Sequence, residues 1–189
     1  MKIGLFFGSF NPVHIGHLVI AQAAVNETDL DKVWMVVSPQ NPFKKKASLL
    51  GEYDRFRLVE LALEGNQDID ASNVEFYLPK PSYTIDTLRH LTAKYPSYEF
   101  ALIMGEDNLE YLHKWKEAEE VLKFPIHCYP RLGSEGDFFE KYPEISKFEM
   151  PYLDISATRI RAMIKEGKSV RYLVEAAAYE YLEAQALYK

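Results

Sequence analysis

Apolar runs too short to make helices alternate with longer stretches of helical periodicity from the first residues of the chain onward. Lys2-Ile3-Gly4-Leu5-Phe6-Phe7 is a β-rich run that reaches Gly8 and Ser9, after which Asn11-Pro12 leads into the small and apolar residues from Gly16 to Val25. That order predicts strand, tight loop, helix. A second run, Val33-Trp34-Met35-Val36-Val37, stops at Ser38-Pro39 and reads as a buried strand, which completes a βαβ unit. Further on, Tyr53 to Leu63 has helical periodicity, Ile69 to Phe76 is strand-like, Ile85 to Ala93 is helical and Phe100 to Met104 is again a short apolar run. Such alternation predicts an α/β fold, a doubly wound parallel sheet with helices on both faces and ligands beyond the carboxyl ends of its strands. After Ile126-His127-Cys128-Tyr129 the pattern loosens into turn formers from Arg131 to Asp137, a surface loop. The chain turns helical again from Ser156, and Val174 to Leu187 reads as a closing helix packed on the core.

Composition narrows the classes. A chain of 189 residues that is 48% hydrophobic is expected to form one domain, residues 1–189, with a substantial core. A formal net charge of -6 provides no footprint for gripping a nucleic-acid backbone. Cys128 is the one cysteine, no apolar run is long enough to span a bilayer, and the first residues do not resemble an export signal. A cytoplasmic protein with small-molecule partners, without nucleic-acid or membrane partners, is therefore expected. The sequence leaves a homo-oligomer open.

The chemistry concentrates in Gly8-Ser9-Phe10-Asn11-Pro12-Val13-His14-Ile15-Gly16-His17, where the first strand gives way to the first helix. Gly8 permits close approach of a ligand to the backbone, and the helix start presents free N–H groups and a positive dipole end to an anion. His14 and His17, three positions apart, can reach one anionic group from the same side. Imidazole donors on an α-phosphate and its bridging oxygen would stabilise charge that develops during in-line attack. A lone histidine here is ordinarily a cap or a surface residue, and a pair suits a partial metal site. The remaining soft or imidazole side chains, His90, His113, His127 and Cys128, are scattered without ligand spacing, so no protein metal site is expected. Near the far end, Ser156 and Thr158 are good caps for a helix that carries Arg161 close enough to bind a polyphosphate.

These two segments, Gly8-x-Phe10-x-Pro12-x-His14-x-Gly16-His17 and Ile155-Ser156-Ala157-Thr158-Arg159-Ile160-Arg161, resemble the motifs of the nucleotidylyltransferase superfamily, with its HxGH sequence and Rossmann-like fold. Within it the chain is most similar to the bacterial nicotinate-mononucleotide adenylyltransferases, from Met1 nearly to Leu173. The resemblance implies AMP transfer from ATP to nicotinate mononucleotide in NAD biosynthesis, with His14 and His17 catalytic and Mg²⁺ carried by the phosphates. It places Gly8, Ser9, Phe10, Gly16, Gly105, Asp107, Ser156, Thr158 and Arg161 against ATP. Pro81-Ser82-Tyr83-Thr84-Ile85-Asp86-Thr87-Leu88 is similar to the element that receives the pyridine nucleotide, whose carboxylate would meet the Thr84 amide. Met104-Gly105-Glu106-Asp107 is similar to the ribose-contacting element, and Trp115 to the residue that stacks on the pyridine. Read without the resemblance, Thr84 is a helix cap and Trp115 a core residue.

Lys44, in Lys44-Lys45-Lys46, matches a lysine that approaches the phosphates, while phosphate attraction and a solvated charge run remain alternatives for Lys45 and Lys46. Arg55 and Arg57 are similar to residues of a family helix, with structural salt bridging as the alternative. The chain departs from the pattern at Phe43, where many relatives have histidine, and at Lys116, where some have an aromatic residue. Lys116 would add attraction for a carboxylate. Phosphopantetheine adenylyltransferase shares both motifs but lacks the features around Thr84 and Trp115, and a catalytically silent nucleotide-binding module is the rival from another class.

Overall fold

The computed structural model describes residues 1–40, 49–131, 142 and 144–189. Phe43, Lys44, Lys45, Lys46 and the part of the Arg131–Asp137 segment that follows Arg131 lie outside these residues.

The alternating apolar runs pair into one parallel sheet. Its strands are β1 (Lys2–Gly8), β2 (Lys32–Val37), β3 (Ile69–Ser72), β4 (Glu99–Gly105), β5 (Ile126–Tyr129) and β6 (Ser146–Lys147). Their order across the sheet is β3-β2-β1-β4-β5-β6. At the centre Leu5 of β1 lies opposite Trp34 of β2 on one side and Leu102 of β4 on the other. Between the strands run α1 (Ile15–Glu27), α2 (Glu52–Ala62), α3 (Thr84–Lys94), α4 (Glu106–Leu109) and α5 (Ala118–Val121), followed after β6 by α6 (Ala157–Lys165) and α7 (Ala176–Ala184).

The two-residue repeat of a strand divides the core between the faces. Val33, Met35 and Val37 of β2 and Ala101 and Ile103 of β4 pack with Ile20, Ala21 and Ala24 of α1, Leu58 and Val59 of α2, Ile160 and Ile164 of α6, and Ala178 and Leu182 of α7. Ile3 and Leu5 of β1 and Phe100, Leu102 and Met104 of β4 pack the other way, against Ile85, Leu88 and Leu91 of α3 and Leu109 of α4. Each large apolar side chain so removed from water contributes about 1.5–3 kcal/mol. The expected doubly wound α/β sheet is the observed one, and the chain order reverses on either side of β1.

Three stretches differ from the sequence expectation. The strand expected from Ile69 to Phe76 stops at Ser72, and Val74–Tyr77 forms a 3-10 turn. That turn lets Phe76 pack on Tyr53 and Phe56 of α2 while Glu75, buried, accepts a hydrogen bond from Thr87 at 2.9 Å. The last helix ends at Ala184 rather than Leu187, closed by the Leu187 N–H on the Leu182 carbonyl with Ala186 in the left-handed region (φ 49). β6 was not expected at all; its Ser146 hydroxyl lies on β5, 3.2 Å from the Ile126 carbonyl and 2.7 Å from His127 Nδ1.

α2 also delivers a charge to the carboxyl ends of β1 and β2. Arg55 is fully buried, and its guanidinium donates to backbone carbonyls: Nε to Leu50 at 2.9 Å, Nη1 to Ser9 at 2.5 Å and Ser38 at 2.9 Å, Nη2 to Pro39 at 3.3 Å. The salt-bridging role weighed for Arg55 is thus replaced by carbonyl acceptors among the described residues, because the loops around it present C=O groups to its guanidinium, with Glu52 acting on it only through its charge. Arg57 does form an ion pair, with Glu60 at 3.4 Å on the surface, where such pairs are worth little. Arg55→Met is expected to cost at least about 3 kcal/mol in urea unfolding, since several charge-assisted bonds are lost and the carbonyls stay buried. Arg55→Lys should recover only part of it because an ammonium cannot fork to acceptors on separate loops. A loss below about 1 kcal/mol for the methionine variant would contradict the assigned role.

Candidate active site

The turn that leaves β1 carries the histidine pair. His14 is the residue before α1, in extended conformation, and His17 is in the first turn. Their rings stack, with centroids 3.7 Å apart and planes 24° apart. The pair expected to face one side does so. The backbone N–H of His14 donates to His17 Nδ1 at 3.2 Å, so a neutral His17 carries its ring proton on Nε2, pointing away from the helix as a donor. The edge of Phe10 meets the His17 ring at 5.0 Å and 84°, and Phe6 supports it from 6.2 Å. Burial, followed by the positive charge of Arg131, pulls the His14 pKa down to about 4, so this ring is neutral near pH 7.

A side chain would be crowded at two positions here, severely at Gly8 and tightly at Gly16. A Cβ on Gly8 would lie 2.6 Å from the Phe10 ring, and one on Gly16 would lie 3.1 Å from the His14 ring. Phe10 itself adopts φ 42 and is 2% exposed. Its side chain therefore belongs to the core and supports His17. Only its backbone and the ring edge that lines the cavity are left for a nucleotide.

Two cavities open at the carboxyl ends of the strands and share Phe6, Phe7, Ser38, Asn108 and Tyr129 in their walls. The first, about 870 Å³, contains Gly8, Ser9, Phe10, His14, Gly16 and His17 on one side, Ser156, Thr158 and Arg161 on another, and Asp107 and Arg131 on a third. The motifs at the two ends of the sequence thus meet across one space. Ser156 caps α6 as expected, accepting from the Arg159 N–H at 3.3 Å. Arg161 donates to the Asn11 carbonyl at 2.7 Å and to Thr158 Oγ1 at 3.3 Å, which draws α6 onto the β1–α1 turn. Asp107, the second residue of α4, pairs with Arg131 at 3.5 Å.

The second cavity, about 540 Å³, is lined by Thr84, Trp115 and Lys116 together with Tyr83, Tyr111 and Gly105. Its aromatic walls suit a flat ring. Thr84 opens α3; the N–H groups of Asp86 and Thr87 bond the Tyr83 carbonyl at 3.0 and 3.3 Å, and the amides of Thr84 and Ile85 stand at the helix start, where an anion would be favoured. Gly105, expected with the nucleotide, lines this cavity and is kept bare by Asp107, whose Oδ1 lies 2.5 Å from where a Cβ would sit. Lys116 turns its ammonium to Asp86, at 2.8 and 2.9 Å, with the Tyr83 ring beneath it at 5.0 Å. Its charge is therefore already partnered at the rim. Lys44, assigned to the phosphates by resemblance, lies outside the described residues.

Sequence reasoning missed Arg131, Asn11 and Glu75. Arg131 follows β5, and the rule that sites form beyond strand ends would have marked it; its guanidinium covers the Tyr129 ring at 5.7 Å. Asn11 is 7% exposed and accepts from the Leu50 N–H at 3.2 Å, tying the β1–α1 turn to the segment before α2. Glu75 lines the aromatic cavity, and burial pushes its carboxyl above the usual range. No local pattern singles out the last two.

Comparison with known proteins bears on the family and the fold. The cytidylyltransferase-like family pattern matches residues 5–163. The probable nicotinate-nucleotide adenylyltransferase of Cytophaga hutchinsonii is 50% identical over 189 residues, which cover 100% of this chain and 98% of the relative. The protein of the same name from Flavobacterium johnsoniae is 48% identical, with 100% of both chains covered. Among solved structures, Plasmodium falciparum nicotinic acid mononucleotide adenylyltransferase complexed with NaAD superposes with a TM-score of 0.84 over 99% of this chain and 97% of that one, at 18% identity, a likeness of fold. Matched from end to end by close relatives and by the family pattern across its sheet, the chain belongs to the cytidylyltransferase-like family and, within it, to the nicotinate-nucleotide adenylyltransferases.

Proposed function

We propose that this protein transfers the adenylyl group of ATP to nicotinate mononucleotide, forming nicotinate adenine dinucleotide and pyrophosphate in NAD biosynthesis. The observation that carries this reading is the meeting of two cavities at the end of β1: one built around paired imidazoles and an arginine, the other around aromatic rings and a helix N-terminus. The NaAD in the Plasmodium falciparum structure is a molecule of the kind that would span both.

In this reading the acceptor ring stacks on Trp115, with its carboxylate at the Thr84 amide and the Lys116 side. ATP lies between the Gly8–His17 turn and α6, with its ribose at Gly105 and Asp107, its phosphates at His14, His17 and Arg161, and Ser9, Phe10, Gly16, Ser156 and Thr158 along its path. Lys44 belongs to the same proposal by resemblance. An oxygen of the acceptor phosphate attacks the α-phosphorus, a new P–O–P linkage forms, and the bond to the β-phosphate oxygen breaks with release of pyrophosphate. The acceptor phosphate is already ionised near neutral pH, so no base is needed and positioning does most of the work. Neutral His14 and the Nε2–H of His17 donate to oxygens on which negative charge accumulates, without first needing a proton. Arg131 adds a cation beside them.

Among the described residues no three His, Cys, Asp or Glu side chains gather as a metal cage. In this reading Mg²⁺ carried by phosphate oxygens and water would neutralise triphosphate charge. No helix among the described residues is long and apolar enough to cross a membrane. The cytoplasm is the compartment we propose.

Three outcomes test this reading. His17→Ala should lower kcat for pyrophosphate release more than about a hundredfold, as expected for loss of a transition-state donor, with the circular dichroism spectrum unchanged. A near-normal rate would refute the role. Nicotinate mononucleotide should exceed nicotinamide mononucleotide in kcat/KM by at least about tenfold, the worth of one charge-assisted hydrogen bond. Equal efficiencies would rule out carboxylate selection, and turnover with phosphopantetheine instead would move the assignment to that acceptor. His14 ties stability to pH. Its folded pKa of about 4 lies below the ordinary 6.5, so between these values the unfolded chain binds the extra proton and stability falls as pH falls. From pH 7 to pH 4 the wild type should lose about 3 kcal/mol more than His14→Gln in urea unfolding, and equal losses would contradict the burial of a neutral ring.

A further inference from the structure

The turn that carries His14 is gripped from behind by a residue 177 positions further along the chain. Tyr188 donates its hydroxyl to Asn11 Oδ1 at 2.8 Å. It does so from a left-handed backbone conformation (φ 66), which the Cβ of a tyrosine disfavours. The helix-closing bonds of α7 end at Leu187, so they do not account for this conformation. Burial pushes the phenol well above its usual range, against the opposing effect of Arg55 and Arg161 beside it, and the group therefore remains a hydroxyl donor. The same Asn11 oxygen accepts from the Leu50 N–H at 3.2 Å, which engages both lone pairs of the amide oxygen. Through its backbone carbonyl Asn11 accepts Arg161 at 2.7 Å. Asn11 lines the nucleotide cavity between Phe10 and His14, and Tyr188 does not.

We propose that Tyr188 is a positioning residue for adenylyl transfer: by orienting the Asn11 side chain it fixes the turn from Ser9 to His14 against α6 in the arrangement the nucleotide phosphates require. The proposal rests on the reading of this cavity as the ATP site. A loose turn would still bind the acceptor, whose cavity lies on the other side of Phe7 and Tyr129, but would present the imidazoles to the α-phosphate in the right place for a smaller fraction of the time.

The test is steady-state pyrophosphate release from ATP and nicotinate mononucleotide by four proteins: wild type, Tyr188→Phe, Asn11→Ala and the double variant, each with its thermal midpoint. Tyr188→Phe removes one oxygen and keeps the buried ring. It should lower kcat about five- to tenfold, the worth of one hydrogen bond, leave KM for the acceptor unchanged and move the midpoint by no more than a few degrees. In the Asn11→Ala background the same substitution should have no further effect on kcat. An unchanged kcat, or an undiminished fall in the Asn11→Ala background, would overturn the proposal while the wild-type activity leaves the ATP site standing. A wild type that releases no pyrophosphate would instead overturn the underlying functional reading and this proposal together.

Discussion

The guanidinium of Arg55 lies fully buried among the carbonyls of Ser9, Ser38, Pro39 and Leu50, and the loops that build the site meet on it. Parallel strands end by delivering their chains into loops whose carbonyls have lost their partners, and inside a protein each such group must be paired. One planar cation with donors on three nitrogens answers the need of β1, β2 and the segment before α2 at once. Burial draws its pKa downward, yet from a value so high that the charge survives. Its position sets where the β1–α1 turn begins, and the stacked rings of His14 and His17 follow from that.

On this frame the site manages charge with few charged groups. The chain carries a net charge of -6 and must hold two anionic substrates. His14 stays neutral, and His17 Nδ1 accepts from the His14 backbone N–H. Arginine supplies the positive charge from two directions, Arg161 on α6 and Arg131 after β5. Both are engaged in the structure, Arg161 with the Asn11 carbonyl and Arg131 with Asp107. In the proposed reading the aromatic cavity follows another logic, with a helix start for the carboxylate and aromatic walls for the ring.

What could be read from sequence was what repeats locally. The apolar run of β1, the glycine that ends it and the histidines at a helix start mark a candidate phosphate turn without any tertiary information, and the resemblance brings in α6 as a second motif. Arg55 was half legible: helical spacing places it on the face of Leu58, Val59 and Ala62, which would have argued for burial, whereas nearby charges such as Asp54 pointed to salt bridging. β6 left no trace because two residues, both exposed, carry no apolar pattern. Val74–Tyr77 looked like strand because the preference of Phe76 for the aromatic rings of α2 is a tertiary fact. The bond between Tyr188 and Asn11 spans nearly the whole sequence and has no local signature.

The account stands on direct attack by the acceptor phosphate at the α-phosphorus, with histidines that donate but never take the adenylyl group. The stereochemical course at that phosphorus, followed with an ATP analogue chiral by sulfur at the α-position and nicotinate mononucleotide as acceptor, is the most direct measurement of it. A single in-line displacement gives a dinucleotide with inverted configuration. Net retention would mean a covalent adenylyl-enzyme and would contradict the account.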